Sequence, residues 1–373
     1  MNAVCYTALV RYYIQFTAGI GDLVYQTLTG ELSGMRVEYS DDSAMIFEAA
    51  DPPQRIAVLP YVKNAFLIVV SVGRGGLDAS IVQLGRRLQN AMFPRSPDRG
   101  NGFRLMFHVD GALVPVNPKD KAALERAVAA RTGRHVEPRG SCQEYWVVGR
   151  TGLDKLLLCM RLPRPRREEK ARGAISRELS AVMVAASGPD PRDVFLDPFG
   201  GSGSFAVARL EHPVRKVWYS DIRLAEHRPA FDARLVRDDR VRLLDEDALR
   251  LPSISDGSVD VIVTDPPWGE HEALNRPYRE FAAGIAASFA RVLRPGRGRY
   301  VILINRDNAA VLLQALSASG IAPDDAHEVL VNGHPATVLV RGRAYDRADP
   351  VKTGQAALKP GHASRRTSAR TAR

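Results

Sequence analysis

The stretch Leu9–Thr17 (LVRYYIQFT) is rich in β-branched and aromatic residues, which predicts a strand. From 18 to 32 the apolar residues Ile20, Leu23, Val24 and Leu28 recur at helical spacing. Two strands, Met35–Tyr39 and Ala44–Glu48, flank the turn signal SDDS, and a short helix (Pro53–Leu59) and an apolar strand (Ala65–Val72) follow. This β-α-β-β-α-β order predicts a ferredoxin-like, split βαβ unit. A second group succeeds it: a helix over Asp78–Met92, a loop over Phe93–Gly102 and a strand over Phe103–Val109. A helix over Pro118–Arg131 and strands over Tyr145–Val148 and Lys155–Leu162 complete that group.

The pattern then changes to alternating strands and helices. A helix over Ile175–Ala186 leads into an apolar strand that ends at Asp197, and a Gly/Ser loop opens a helix running to Leu210. Strands follow at Lys216–Ser220, Val241–Leu244, Val259–Thr264 and Tyr300–Ile304, with helices at Tyr278–Val292 and Asn308–Ser317. His327–Val331 and Ala336–Val340, joined by NGHP, read as a closing hairpin. The alternation predicts an α/β, doubly wound, seven-stranded sheet that is mostly parallel, with one antiparallel strand from the hairpin.

Composition narrows the class. The 373 residues exceed one ordinary domain, and 45% apolar with 25% charged residues fits a globular chain. The net charge of +10 points to a polyanionic partner, nucleic acid first, although an Arg-rich composition alone would also produce it. Cys5, Cys142 and Cys159 form no CxxC pair, so neither a disulfide framework nor a metal site is expected. No secretory leader is apparent, and the longest apolar run, around Ala65–Val70, falls far short of the ~18 residues of a membrane span. A soluble, cytoplasmic protein is therefore expected. His108, His135 and His227 stand alone and read as structural or solvated, and Tyr12, Tyr13 and Phe16 read as core. Arg161–Arg172 carries six basic residues, two acids and two prolines, and 352–373 carries six basic residues and no acid. The first reads as a linker or phosphate-facing strip, the second as a tail without a core.

The chemistry concentrates at the strand ends. Asp193–Phe205 (DVFLDPFGGSGSF) is strand, acid, glycine loop and helix in that order, which brings backbone N–H groups to a ligand. Gly201, Gly203 and Ala206 fit G-x-G-x-x-A, and Asp221 ends the next strand, so a nicotinamide dinucleotide is a competitor. Three features oppose it: an acid and a proline head the loop, Asp247 ends a third strand, and the fourth ends in TDPPWG. A cationic, phosphate-free ligand bearing an amino acid and an adenosine suits four acids better, and S-adenosylmethionine is that ligand. Asp197 with the loop (Pro198, Phe199, Gly200, Gly201, Ser202, Gly203) would hold its methionine end, and Asp221 its ribose. Asp247 would take the adenine amino group, with Ala248 offering an N–H; Asp245 and Glu246 are alternatives to Asp247. In TDPPWG, Asp265 and a carbonyl stiffened by Pro266 and Pro267 can accept both N–H bonds of an exocyclic amine and aim its lone pair at a methyl group. Trp268 can stack on the base, which must leave its helix to arrive.

DPFGGSGSF together with TDPPWG resembles the THUMP-containing RNA methyltransferases, which make N2-methylguanosine in tRNA. The resemblance is specific in the second half and rests on element order alone in the first. It implies a Rossmann-like class I methyltransferase domain over 175–345, preceded by a ferredoxin-like domain (1–75), a THUMP-like RNA-binding domain (76–162) and a basic linker (163–174), and followed by a basic tail (346–373). It also implies tRNA as partner; the sequence leaves the oligomeric state open, with a monomer favoured. By the same resemblance Asp197, Gly200, Gly201, Gly203, Asp221 and Asp247 bind the cofactor and Asp265, Pro266, Pro267 and Trp268 form the acceptor site. Gly200 stands where relatives often carry cysteine, and Trp268 where tyrosine or phenylalanine is usual. Rival readings are an rRNA or DNA amino-methyltransferase, a nicotinamide-dependent oxidoreductase and an RNA-binding protein with an inactive methylase fold.

Overall fold

A computed structural model describes residues 9–94, 100–139, 142–163, 175–269, 274, 276–331 and 333–342. The tail, Cys5 and all of the linker except Pro163 lie outside the described residues.

The first half is built on one nine-stranded sheet. Its first elements are β1 (Val10–Gln15), α1 (Gly21–Glu31), β2 (Arg36–Ser40), β3 (Ala44–Ala49), α2 (Pro53–Val58) and β4 (Asn64–Gly73). Then come α3 (Leu77–Leu88), β5 (Gly102–Val109), β6 (Ala112–Leu113), α4 (Pro118–Thr132), β7 (His135–Val136), β8 (Gln143–Gly149) and β9 (Lys155–Arg161). The order β2-β3-β1-β4 is that of a split βαβ unit, with β1 antiparallel to both neighbours. Beyond it β4 pairs antiparallel with β9, so the sheet continues without a break through β9-β8-β5-β6, and β7 pairs with β5. Tyr12 and Ile14 point into the large helix-side cluster and Tyr13 into a smaller one on the other face, so this central strand is apolar on both sides. Helix α4 has clear boundaries: Asn117 accepts from the Lys119 N–H, Pro118 opens the first turn, and Gly133 takes a left-handed φ of 69°.

The halves meet on α5 (Arg177–Ala186). Ser176 caps it by accepting from the Leu179 N–H, and every residue from Glu178 to Ala186 is buried. A helix apolar on all sides belongs between layers, and α5 packs against α1 on one side and the following α6 and β14 on the other. One apolar cluster accordingly runs from Tyr12 through Val182 to Val338.

The second half has β10 (Val194–Asp197), α6 (Ser204–Leu210), β11 (Lys216–Ser220), α7 (Leu224–His227), α8 (Ala233–Arg237) and β12 (Val241–Leu244). It continues with β13 (Val261–Thr264), α9 (Tyr278–Val292), β14 (Arg299–Asn305), α10 (Arg306–Ala318), β15 (Asp325–Val331) and β16 (His334–Arg341). The seven-stranded sheet has the order β12-β11-β10-β13-β14-β16-β15. All pairings are parallel except those of β16, which is antiparallel to β14 and β15. Successive side chains feed opposite layers: Phe195, Val261 and Val263 join the α5/α6 side, and Leu196, Ile262 and Ile302 the α9/α10 side. The chain steps outward from β10 to β12 and then returns to β13, which makes the β10/β13 boundary the switch point where ligands of such sheets bind. Edge strand β15 meets the first half directly: a Cβ on Gly19 would lie 2.6 Å from the Leu330 nitrogen.

The predicted strand Val259–Thr264 is shorter in the structure. Val259 makes only an isolated bridge to Leu293 because the Asp260 carboxylate takes the Val194 N–H and Arg294, turning the chain before β13 begins. Helices α7 and α8 are too short to show a period in the sequence.

Candidate active site

Four neighbouring strands deliver acids to one edge of the sheet. Asp197 closes β10, Asp221 follows β11, Asp245–Asp247 follow β12, and Asp265 follows β13. Asp197 is completely buried, and Thr264, last residue of the adjacent β13, donates its hydroxyl to Asp197 Oδ1 at 2.8 Å. Asp197 Oδ2 is also buried and finds no hydrogen-bond partner among the described residues. Burial pushes this carboxyl up to about 8; the charges of Asp221 and Asp265 add to the rise, and the Thr264 hydroxyl and Phe199 amide oppose it.

The glycine loop is pressed onto β11. Gly200 N–H donates to the Ser220 carbonyl at 2.9 Å, Gly203 N–H to the Gly200 carbonyl at 2.7 Å, and the Tyr219 hydroxyl to the Gly201 carbonyl at 2.7 Å. A Cβ on Gly200 would sit 2.1 Å from the Tyr219 ring, so no larger residue fits. Gly203 has φ +79°, and a Cβ there would meet Leu235 at 2.2 Å. Asp221 accepts the Gly201 N–H at 2.9 Å and the Arg223 N–H at 2.8 Å, which locks loop and strand end together. Asp247 accepts the Leu249 N–H at 2.9 Å, and buried Ala248 offers its carbonyl to the Ser288 hydroxyl at 2.7 Å. Of the alternatives, Asp245 is exposed and Glu246 accepts the Ser253 N–H at 3.3 Å.

At the end of β13, Asp265 is half-buried and Pro266 buried. Trp268 Nε1 donates to Asp265 Oδ1 at 2.7 Å, and its ring rests against both apolar clusters. Asn308, in the first turn of α10, donates to the Trp268 carbonyl at 2.8 Å. Phe199 packs edge-on against Phe281 at 6.0 Å, which in turn meets Tyr278. The buried Tyr278 hydroxyl has no partner among the described residues, and burial raises its pKa.

Residues 164–212 and 232–334 match the family described as UPF0020, RMKL-like, methyltransferase domain. The match falls on the half of the chain that carries the seven-stranded sheet. The chain is 31% identical over 182 residues to the tRNA (guanine(10)-N2)-dimethyltransferase of Methanothermobacter thermautotrophicus, covering 43% of this chain and 53% of that protein. It is 26% identical over 168 residues to the bovine (Bos taurus) tRNA (guanine(6)-N(2))-methyltransferase THUMP3, covering 41% and 33%. The chain thus spans between a third and about half the length of these curated relatives. The crystal structure of TrmN from Thermus thermophilus superposes with a TM-score of 0.66 at 23% identity, over 89% of this chain and 99% of that one. That agreement carries the fold through both halves.

Within the second half, the expected acids gather on one edge, and the glycine loop and Asp-Pro-Pro-Trp turn lie on the two sides of the switch point. Several contacts went unforeseen. Thr264 holds Asp197, Tyr219 floors the loop, Asn308 holds the Trp268 carbonyl, and Ile222, 66% exposed beside Asp221, offers an apolar side chain at the strand end. Thr264 and Ile222 directly flank singled-out acids, and that adjacency was the available signal. Nothing local marked Asn308.

Proposed function

We propose that the chain is an S-adenosylmethionine-dependent RNA methyltransferase that methylates the exocyclic N2 of a guanosine in tRNA, acting in the cytoplasm. The observation that carries it is the pairing, across the switch point, of a buried acid and glycine cradle with an Asp-Pro-Pro-Trp turn. The names of the guanine-N2 relatives support the choice of amine and of tRNA.

The residues suit that cofactor. The orphaned Asp197 Oδ2 is a buried acceptor awaiting a donor, as an ammonium would be. The loop from Asp197 to Gly203 contains no lysine or arginine to balance a pyrophosphate. Asp197 and the loop would hold the methionine end, Asp221 the ribose hydroxyls, and Asp247 with the Ala248 N–H the adenine. When bound, S-adenosylmethionine supplies the methyl group from its sulfonium.

Asp265 accepts one N–H of the incoming guanine amine, and the carbonyl within Asp-Pro-Pro-Trp accepts the other. Both bonds draw the nitrogen lone pair out of conjugation with the ring and point it across the switch point. The nitrogen becomes cationic as the N–C bond forms, and Asp265 is placed to receive the proton it sheds. The ring of Trp268 stacks on the base. The ferredoxin-like (1–75) and THUMP-like (76–162) segments, with the basic 163–174 and 346–373 stretches, present the RNA through phosphate contacts suited to the +10 charge.

Incubation with methyl-labelled S-adenosylmethionine and total RNA, followed by nucleoside analysis, tests the assignment. Label in N2-methylguanosine from the tRNA fraction is expected. Label only in N6-methyladenosine or in rRNA would overturn the substrate, and NAD binding without S-adenosylmethionine binding would overturn the reaction class.

A further inference from the structure

The carboxylate at the end of β13 is not oriented by its strand alone. Asp265 Oδ1 receives the Trp268 indole N–H at 2.7 Å, which closes a ring across the two prolines. A charge-assisted bond of that length is roughly twice as strong as a neutral one. The half-buried Trp268 ring packs against apolar side chains of both clusters, so swinging the N–H away would expose apolar surface. The backbone behind the ring is also tied down. Asn308 Nδ2 reaches the Trp268 carbonyl at 2.8 Å, and the Asn308 N–H is accepted at 3.2 Å by Asn305 Oδ1, the cap of α10 at the end of β14.

We propose that Trp268 is a positioning residue for Asp265, acting through its indole N–H, and that Asn308 is a second one, keeping that N–H aimed. The inference rests on the reading of Asp265 as the acceptor-site carboxylate. It adds to the stacking role of the ring a polar role that a phenylalanine ring cannot perform. Two neighbouring strand ends, through β13 and α10, together set the direction from which the amine is received. Asp197 and Asp221 are the other acids of this edge, and neither accepts from Trp268 or Asn308.

The test compares full-length wild type with Trp268→Phe and Asn308→Ala for kcat, KM for tRNA and the pH profile of kcat. Trp268→Phe keeps a ring and loses the donor. Its kcat is expected to fall on the order of 10- to 100-fold with little change in KM, as misorientation at a reacting group produces. The acid limb of its profile is expected to move to higher pH, because a carboxylate that loses a donor is harder to ionise. Asn308→Ala should show the same signs in smaller measure. An unchanged kcat and acid limb in Trp268→Phe, or a loss confined to KM, would overturn the proposal. A readout independent of activity separates its failure from that of the assigned function. The chain has three tryptophans, and the indole resonance absent from Trp268→Phe identifies Trp268 in a 1H–15N spectrum. That resonance should shift upfield in Asp265→Ala; no shift would refute the bond even if no RNA is methylated.

Discussion

Asp197 makes the stability of this protein depend on pH in an unusual direction. Its carboxyl is wholly buried and is pushed from 3.8 up to about 8. The folded value exceeds the unfolded one, so between those values the unfolded chain holds fewer protons and stability falls as pH rises. From pH 5 to pH 9 one such group costs about 4 kcal/mol, an upper bound from about 1.36 kcal/mol per pKa unit. Asp197→Asn keeps the shape and removes the titration. Thermal unfolding of the cofactor-free protein should therefore show the wild type losing up to about 8–16 °C relative to Asp197→Asn between these pH values, taking about 2–4 °C per kcal/mol. Added S-adenosylmethionine, whose ammonium would meet the ionised form, should reduce the wild-type loss. If the two proteins lose stability in parallel, Asp197 is not an acid that burial keeps protonated, and it is not the acceptor for the cofactor's ammonium.

Two other substitutions probe the frame around the site. Gly200→Ala places a Cβ 2.1 Å from the Tyr219 ring and should lower stability by about 1–3 kcal/mol in denaturant unfolding, with weaker cofactor binding; a neutral result would mean the loop is not pressed onto β11. Arg209 is fully buried and bonds Asp193 and the Asp190 and Pro213 carbonyls, so Arg209→Ala should cost about 3–5 kcal/mol in the same measurement, although Arg299 still neutralises Asp193.

How much of this was legible follows from what periodicity can encode. Helix Tyr278–Val292 reads to the residue because apolar positions mark its face and Pro277 marks its start. The strand ends read well because buried strands of the second sheet stop where the acids begin, so Asp197, Asp221, Asp247 and Asp265 stood out before any geometry. The partners of those acids did not. Thr264 and Asp197 are 67 positions apart, and Trp268 and Asn308 are 40 apart; such pairings depend on which strands become neighbours. The joining of the first two segments into one sheet through β4 and β9 is non-local in the same way. The role of α5 was half visible: its apolar residues predicted a helix, but not that both halves would bury it.

In the proposed function Asp265 serves the methyl acceptor and not the cofactor. Asp265→Ala should bind S-adenosylmethionine within about threefold of wild type by calorimetry, while single-turnover transfer to tRNA falls by at least about 100-fold, as loss of a catalytic acid–base group entails. Full transfer activity in Asp265→Ala would place Asp265 outside the acceptor site.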